Sequence, residues 1–251
     1  MESVSISIAA FVLSFGAALL GLFLRTFLPD HHLSTESKDV VKLGMGLVGT
    51  MTALVLGLLV ASAKNFYDTQ NTEITDLSAK IVFLDRILAH YGPETQEIRG
   101  LLRVVVAGVL EKTWSSKELS KEAVRAPALA NEALYDKLQD LTPKSDAQRA
   151  IQAQAMGVLS NLGQTRWLMY EQRTSAVSMP LLATLIFWLS ITFLSFGLYA
   201  PANGTVVTSL FASAMSVAGA IYLIMEMYSP YSGLIQISSA PLRAALAHLG
   251  Q

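Results

Sequence analysis

The sequence contains no cysteine, which removes disulfide staples, thiolate metal sites and thiol nucleophiles together. No Gly-rich phosphate loop, no His-Glu-x-x-His and no G-x-S-x-G pattern is present, so no catalytic residue is assigned and no enzyme is expected. Eighteen Lys and Arg against nineteen Asp and Glu leave a net charge of −1, which gives no basis for a nucleic-acid partner. Charge is also missing from three long stretches. Ser3 to Leu24 and Leu43 to Ala63 contain none, and Thr174 to Met225 runs 52 residues without one.

What the chain does contain is hydrophobic length. A bilayer core of ~30 Å requires ~20 apolar residues as a helix, so the first two stretches fit one crossing each and the third fits two. The third is divided by Gly197 to Gly204, a run holding Pro201, Asn203 and two glycines, which places spans near Met179 to Tyr199 and Thr205 to Met225. Asn203-Gly204-Thr205 also matches a glycosylation sequon, but a tight turn explains it more simply. The amino-terminal stretch opens with Glu2 and has no small-residue cleavage site, so it is expected to be a retained helix rather than a signal peptide.

Of 37 charged residues, 28 lie between Lys64 and Arg173. The expected organisation is an all-α membrane protein: spans 1 and 2 in residues 1–63, a helical domain in 64–173 inserted between spans 2 and 3, spans 3 and 4 in 174–228, and a polar segment over 229–251. Four crossings place both termini and the inserted domain on one side. Basic residues do not orient the chain, since Arg25, Lys38 and Lys42 balance Lys64, Arg166 and Arg173.

In the inserted domain Ile74, Leu77, Ile81, Leu84 and Leu88 draw one helical stripe. Pro and Gly are absent from Leu58 to Tyr91, so span 2 is expected to run on without a break to Gly92-Pro93. A helix from Leu43 to Tyr91 would be roughly 70 Å long at ~1.5 Å per residue, well beyond the hydrocarbon thickness. Further helices are predicted over Pro93 to Trp114, Leu129 to Leu141, and from a Thr142 N-cap with Pro143 at the first position onward to Trp167. Ser115 to Pro127 reads as a loop.

Candidate sites are few. Asp30-His31-His32 has the residue types of a metal site but reads better as a polar interfacial loop, and no metal is assigned. His90 and Tyr91 suit a helix end. Glu226, where span 4 stops, is either a solvated interfacial carboxylate or one paired with Arg86, Arg166 or Arg173, and Asp85 and Arg86 are further candidate intramembrane or interfacial polar residues. Span 2 carries two ridges. Gly49, Ala53, Gly57 and Ala61 form a small-residue ridge suited to close helix packing, and Thr50, Leu54, Leu58 and Ser62 form the next one round. A ring of such helices with the leucines inward would enclose an apolar neck that gates by dewetting, whereas packing within one bundle would account for the small ridge alone.

Several segments carry a resemblance. Leu54 to Val60 running to Phe66-Tyr67, and Ser229-Pro230-Tyr231-Ser232-Gly233, resemble the neck helix and the segment after the fourth span of bestrophin anion channels. Ala63 to Asn71, Leu84 to Pro93, Phe196 to Asn203 and Ser238 to Leu242 are similar to the recurrent pattern of the bacterial bestrophin-like family, over nearly the whole chain. The resemblance implies a homo-oligomer, a ring of five in bestrophins, in the bacterial inner membrane with termini and residues 64–173 cytoplasmic. It implies passive anion conduction along the second helix, with Thr50, Leu54 and Leu58 at the neck where bestrophins carry bulkier, often aromatic, groups. Tyr231 to Gln251 contains no carboxylate side chain, so the calcium-binding cluster of animal bestrophins has no counterpart, and no cofactor is expected. The alternative reading is a membrane-anchored scaffold that docks a partner on the Ile74 to Leu88 stripe; the same stripe could equally be the core of its own domain.

Overall fold

A computed structural model describes residues 2–29, 34–114, 132–174 and 178–251. Among the described residues every regular element is helical. In chain order these are α1 (Glu2–Leu24), α2 (Thr35–Tyr91), a 3-10 turn (Pro93–Thr95), α3 (Gln96–Trp114), α4 (132–139), α5 (Asp146–Thr174), α6 (Met179–Tyr199), α7 (Gly204–Met227) and α8 (Ala240–His248). The loops expected at Asp30-His31-His32 and over Ser115 to Pro127 lie outside the described residues. The chain separates into two compact units, Met1–Phe66 with Ala176–Ser229, and Tyr67–Ser175 with Pro230–Gln251. Helix α2 contributes to both.

The first unit holds α1, the start of α2, α6 and α7. Among the described residues four helices, α1, α2, α6 and α7, are long and apolar enough to cross a membrane. Its core joins Ala18 and Leu22 of α1, Leu59 and Ala63 of α2, Leu185 and Phe193 of α6, and Ala214 and Ile221 of α7. Helices α1 and α6 pack closely because each presents a glycine to the other. A Cβ at Gly21 would strike the Leu194 carbonyl oxygen and one at Gly197 the Ala18 carbonyl oxygen. Backbone cannot swing aside as a side chain can. Gly197→Ala is therefore expected to lower stability by about 2 kcal/mol, whereas Gly16→Ala, whose new Cβ meets open space, should be nearly silent. Thermal unfolding of the two variants in the same detergent checks the difference.

The helix ends explain their own positions. Ser34 Oγ accepts from the Ser37 amide at 3.3 Å, which caps α2 eight residues before the Leu43 start read from the charge-free stretch. Met179–Tyr199 is the third apolar helix as predicted. Asn203 does more than turn the chain: its Oδ1 accepts from the Val206 amide at 2.9 Å and caps α7. The expected Thr142 cap with Pro143 at the first position is corrected. Ser145 Oγ accepts from the Gln148 amide at 3.2 Å, and α5 begins at Asp146.

The second unit is a helical domain whose core is the predicted stripe. Leu77, Ile81, Leu84 and Leu88 are buried against Ile98, Leu102 and Val106 of α3, Leu134 and Leu138 of α4, and Ala155 and Leu159 of α5. The carboxy-terminal segment completes that core, with Leu242, Ala245 and Leu249 buried in it. The Ser229 to Gly233 motif starts a compact loop that Ile237 closes by donating its amide to the Pro230 carbonyl at 2.7 Å. Tyr231 donates its hydroxyl to Gln70 Oε1 at 3.0 Å, and the Trp114 indole donates to the Ile237 carbonyl at 2.8 Å. Both rings meet edge to face, 5.4 Å apart.

Candidate functional site

The apolar part of α2 has one face used by its own chain and a wider one that is not. Val48 is half-buried, Thr52, Leu59 and Ala63 are buried, and Val55 and Leu56 pack against the core of the first unit. These positions fall at the three-and-four spacing of one helix face. Sequence reasoning did not single out this face, because its residues are apolar like their neighbours. Thr52 was the one available signal: its hydroxyl turns back to the Val48 carbonyl at 2.7 Å, the means by which a hydroxyl is kept satisfied on a packed face.

Both predicted ridges lie away from that face. Thr50, Leu54, Leu58 and Ser62 are exposed within the chain, with Leu54 at 68% and Leu58 at 59%. Ala53, Gly57 and Ala61 are exposed and Gly49 is half-buried. A Cβ built at Gly44, Gly46, Gly49 or Gly57 meets no atom within 4 Å. Of the most apolar stretch in each long helix, 11% is buried in α2, against 33, 28 and 28% in α1, α6 and α7. Thr50 Oγ donates to the Gly46 carbonyl at 2.9 Å. Ser62 is held at the edge of that ridge by Tyr228, whose hydroxyl donates to Ser62 Oγ at 3.0 Å, beside a Phe66–Tyr228 ring contact of 5.6 Å.

The predicted polar residues have different surroundings. Glu226 is 4% exposed and has polar partners, Tyr222 one helical turn earlier among them, so the solvated reading is replaced by a buried one. Asp85, in the second unit, is 1% exposed and does not pair with its neighbour Arg86, which is exposed. Its carboxylate takes two parallel bonds from Arg99, Nε to Oδ1 and Nη2 to Oδ2, each 2.8 Å, and a third from the Gly250 amide at 3.3 Å. That hydrogen-bonded carboxylate raises the Arg99 guanidinium above its ordinary value. Among the described residues no group of three or more His, Asp or Glu is arranged to hold a metal ion.

A fold that is all-helical among the described residues, with four long apolar helices of which one continues into the core of a second unit, has counterparts among known proteins. The family model of the Bestrophin-like domain matches residues 12–242. The chain belongs to the Bestrophin-like family. It is thus an integral membrane protein. A single-substitution variant of a bacterial bestrophin homolog from Klebsiella pneumoniae has the same fold at a TM-score of 0.66 and 14% identity, over 98% of this chain and 99% of that one. A crystallised membrane protein superposes at a TM-score of 0.65 and 14% identity, covering 97% and 96% of the two chains. A second variant of the Klebsiella homolog gives a TM-score of 0.63 at 13% identity, over 97% of each chain. Among curated proteins no sequence matches. At these identities the likeness to Bestrophin-like structures establishes the fold alone.

Proposed function

We propose that this Bestrophin-like protein is an oligomeric ion channel, passively conducting inorganic anions through a central pore lined by α2 of each subunit. The observation that carries this reading is the free face of α2. A lipid-facing helix gains from bulky apolar groups, yet this face mixes Leu54 and Leu58 with Gly49, Thr50, Ala53, Gly57, Ala61 and Ser62. Small residues let another helix approach closely, and hydroxyls at the ends of a leucine pair suit a wetted path narrowing to an apolar neck. In this reading the small ridge packs against the neighbouring subunit and the leucine ridge faces the axis. A ring of five fits the family resemblance. The protein spans the bacterial inner membrane four times, and the termini and residues 64–173 are cytoplasmic.

The scaffold reading has lost its surface. Ile74, Leu77, Ile81, Leu84 and Leu88 are all buried in the second unit and offer nothing to a partner.

Particle imaging in lipid nanodiscs tests the proposal, the expected result being a symmetric ring with Leu54 and Leu58 directed at its axis. A monomer, or an oligomer with those leucines against lipid, overturns it. The small ridge has its own test. Gly57→Phe adds a ring where the single chain has open space, so the subunit should keep its helix content while the assembled mass, read by light scattering, falls to that of separate subunits.

A further inference from the structure

The second unit contains a cavity of about 700 Å³ between α2, α3 and α5. Its volume is in the range that holds a small molecule, and most of its wall is apolar. Ile81, Val105, Val109 and Leu159 contribute that wall. The space exists because α5 turns Ser160 and Gly163 toward it, and a Cβ at Gly163 would meet no atom within 4 Å. Larger side chains at these two positions would fill much of it.

The charge of the lining has one sign. Lys112 of α3 and Arg166 of α5 stand among the lining residues, and no Asp or Glu does among those described. Neither cation has an ion pair among the described residues, whereas Lys80 pairs with Asp76 at 2.7 Å, Lys137 with Glu97 at 2.8 Å and Lys144 with Glu94 at 3.1 Å. Lys112 and Arg166 are both exposed, as are Arg86, Arg103 and Arg243, which also have none. Two cations with no ion pair among the described residues, beside an apolar chamber, complement a ligand with an anionic head and a hydrocarbon body.

We propose that this cavity binds one single-chain anionic amphiphile, a long-chain fatty acid, with its carboxylate held by Lys112 and Arg166 and its chain against Val105, Val109 and Leu159. The site is separate from the neck, and binding is read without reference to ion flux. It therefore stands or falls independently of conduction.

The test uses the full chain in zwitterionic nanodiscs and dansylundecanoic acid as the fluorescent probe, with the signal of empty nanodiscs subtracted. A saturable component is expected, displaced by palmitate and not by hexadecanol. The double variant Lys112→Ala, Arg166→Ala should weaken it by on the order of tenfold or more. Gly163→Leu should abolish it with an unchanged melting temperature; should that variant misfold, the charge variant alone carries the test. The proposal is overturned by the lack of a saturable component, by equal displacement with hexadecanol, or by probe affinity unchanged in the charge variant. A density map in which side chains of residues 115–131 or of a second copy fill the cavity also overturns it.

Discussion

Replacing Leu54 with serine is expected to raise chloride flux through reconstituted protein on the order of tenfold. The reasoning rests on the proposed neck, where a ring of leucines keeps the path dry until water is admitted. Burial of one leucine side chain is worth ~1.5–3 kcal/mol, and every subunit of a ring loses its leucine at once. Losing only ~1.4 kcal/mol of a dewetting barrier multiplies the rate by about ten. The same change at Leu20, an exposed leucine of α1 outside the proposed neck, should leave flux at the wild-type level. Flux per assembled ring in proteoliposomes decides the matter. Equal flux in wild type and a correctly assembled Leu54→Ser protein would remove the gate from this position.

Asp85→Ala is expected to cost on the order of 3 kcal/mol of stability, a fall of about 10 °C in melting temperature for a chain of this size. The Asp85 side chain is 2% exposed and that of Arg99 18%, so the substitution leaves a largely buried guanidinium with the Gln251 carbonyl, 3.1 Å from Nη2, as its remaining acceptor. It also strands the Gly250 amide, which donates to the same carboxylate. Asp85→Asn keeps the shape and one acceptor, and should lose less than half as much. Because the pair is out of water, raising the salt concentration should change the wild-type melting temperature little, whereas an exposed pair such as Lys144 and Glu94 is screened. Unfolding in detergent at low and high salt separates these expectations. A melting temperature unchanged by Asp85→Ala would mean that Arg99 is fully served by other acceptors.

The apolar helices were legible because length and freedom from charge are properties of a contiguous run. Met179–Tyr199 follows directly from a Pro-Gly-Asn break after an uncharged stretch. The stripe from Ile74 to Leu88 was equally legible as a helix face, but periodicity alone does not say whether the face meets its own domain or another protein; the buried contacts do. Relations between distant residues were not legible. Gly49, Ala53, Gly57 and Ala61 stand out because they repeat in one helix, while Gly21 and Gly197, which make the closest backbone approach, are solitary glycines 176 positions apart. Asp85 and Arg86 stand out in the sequence only as polar residues, and the partner of Asp85 lies across the Gly92-Pro93 break on α3, a relation between separate helices that no local pattern announces. At the candidate neck the sequence offers two ridges, and only the packing of α2 against α1, α6 and α7 shows which third face the chain keeps for itself.

The second unit is built from two stretches of chain separated by α6 and α7, and Leu242, Ala245 and Leu249 finish its core. During synthesis those residues emerge only after both of the intervening apolar helices. The helices α3, α4 and α5 must therefore wait, with an incomplete interior, while the membrane machinery handles α6 and α7. Translation proceeds at ~5–20 residues per second, so the interval lasts several seconds, long enough for exposed apolar surface to attract chaperones or partner incorrectly. The order of manufacture thus makes synthesis of α6 and α7 a precondition for closing the second unit, and a nascent subunit cannot complete that unit before those helices have been made.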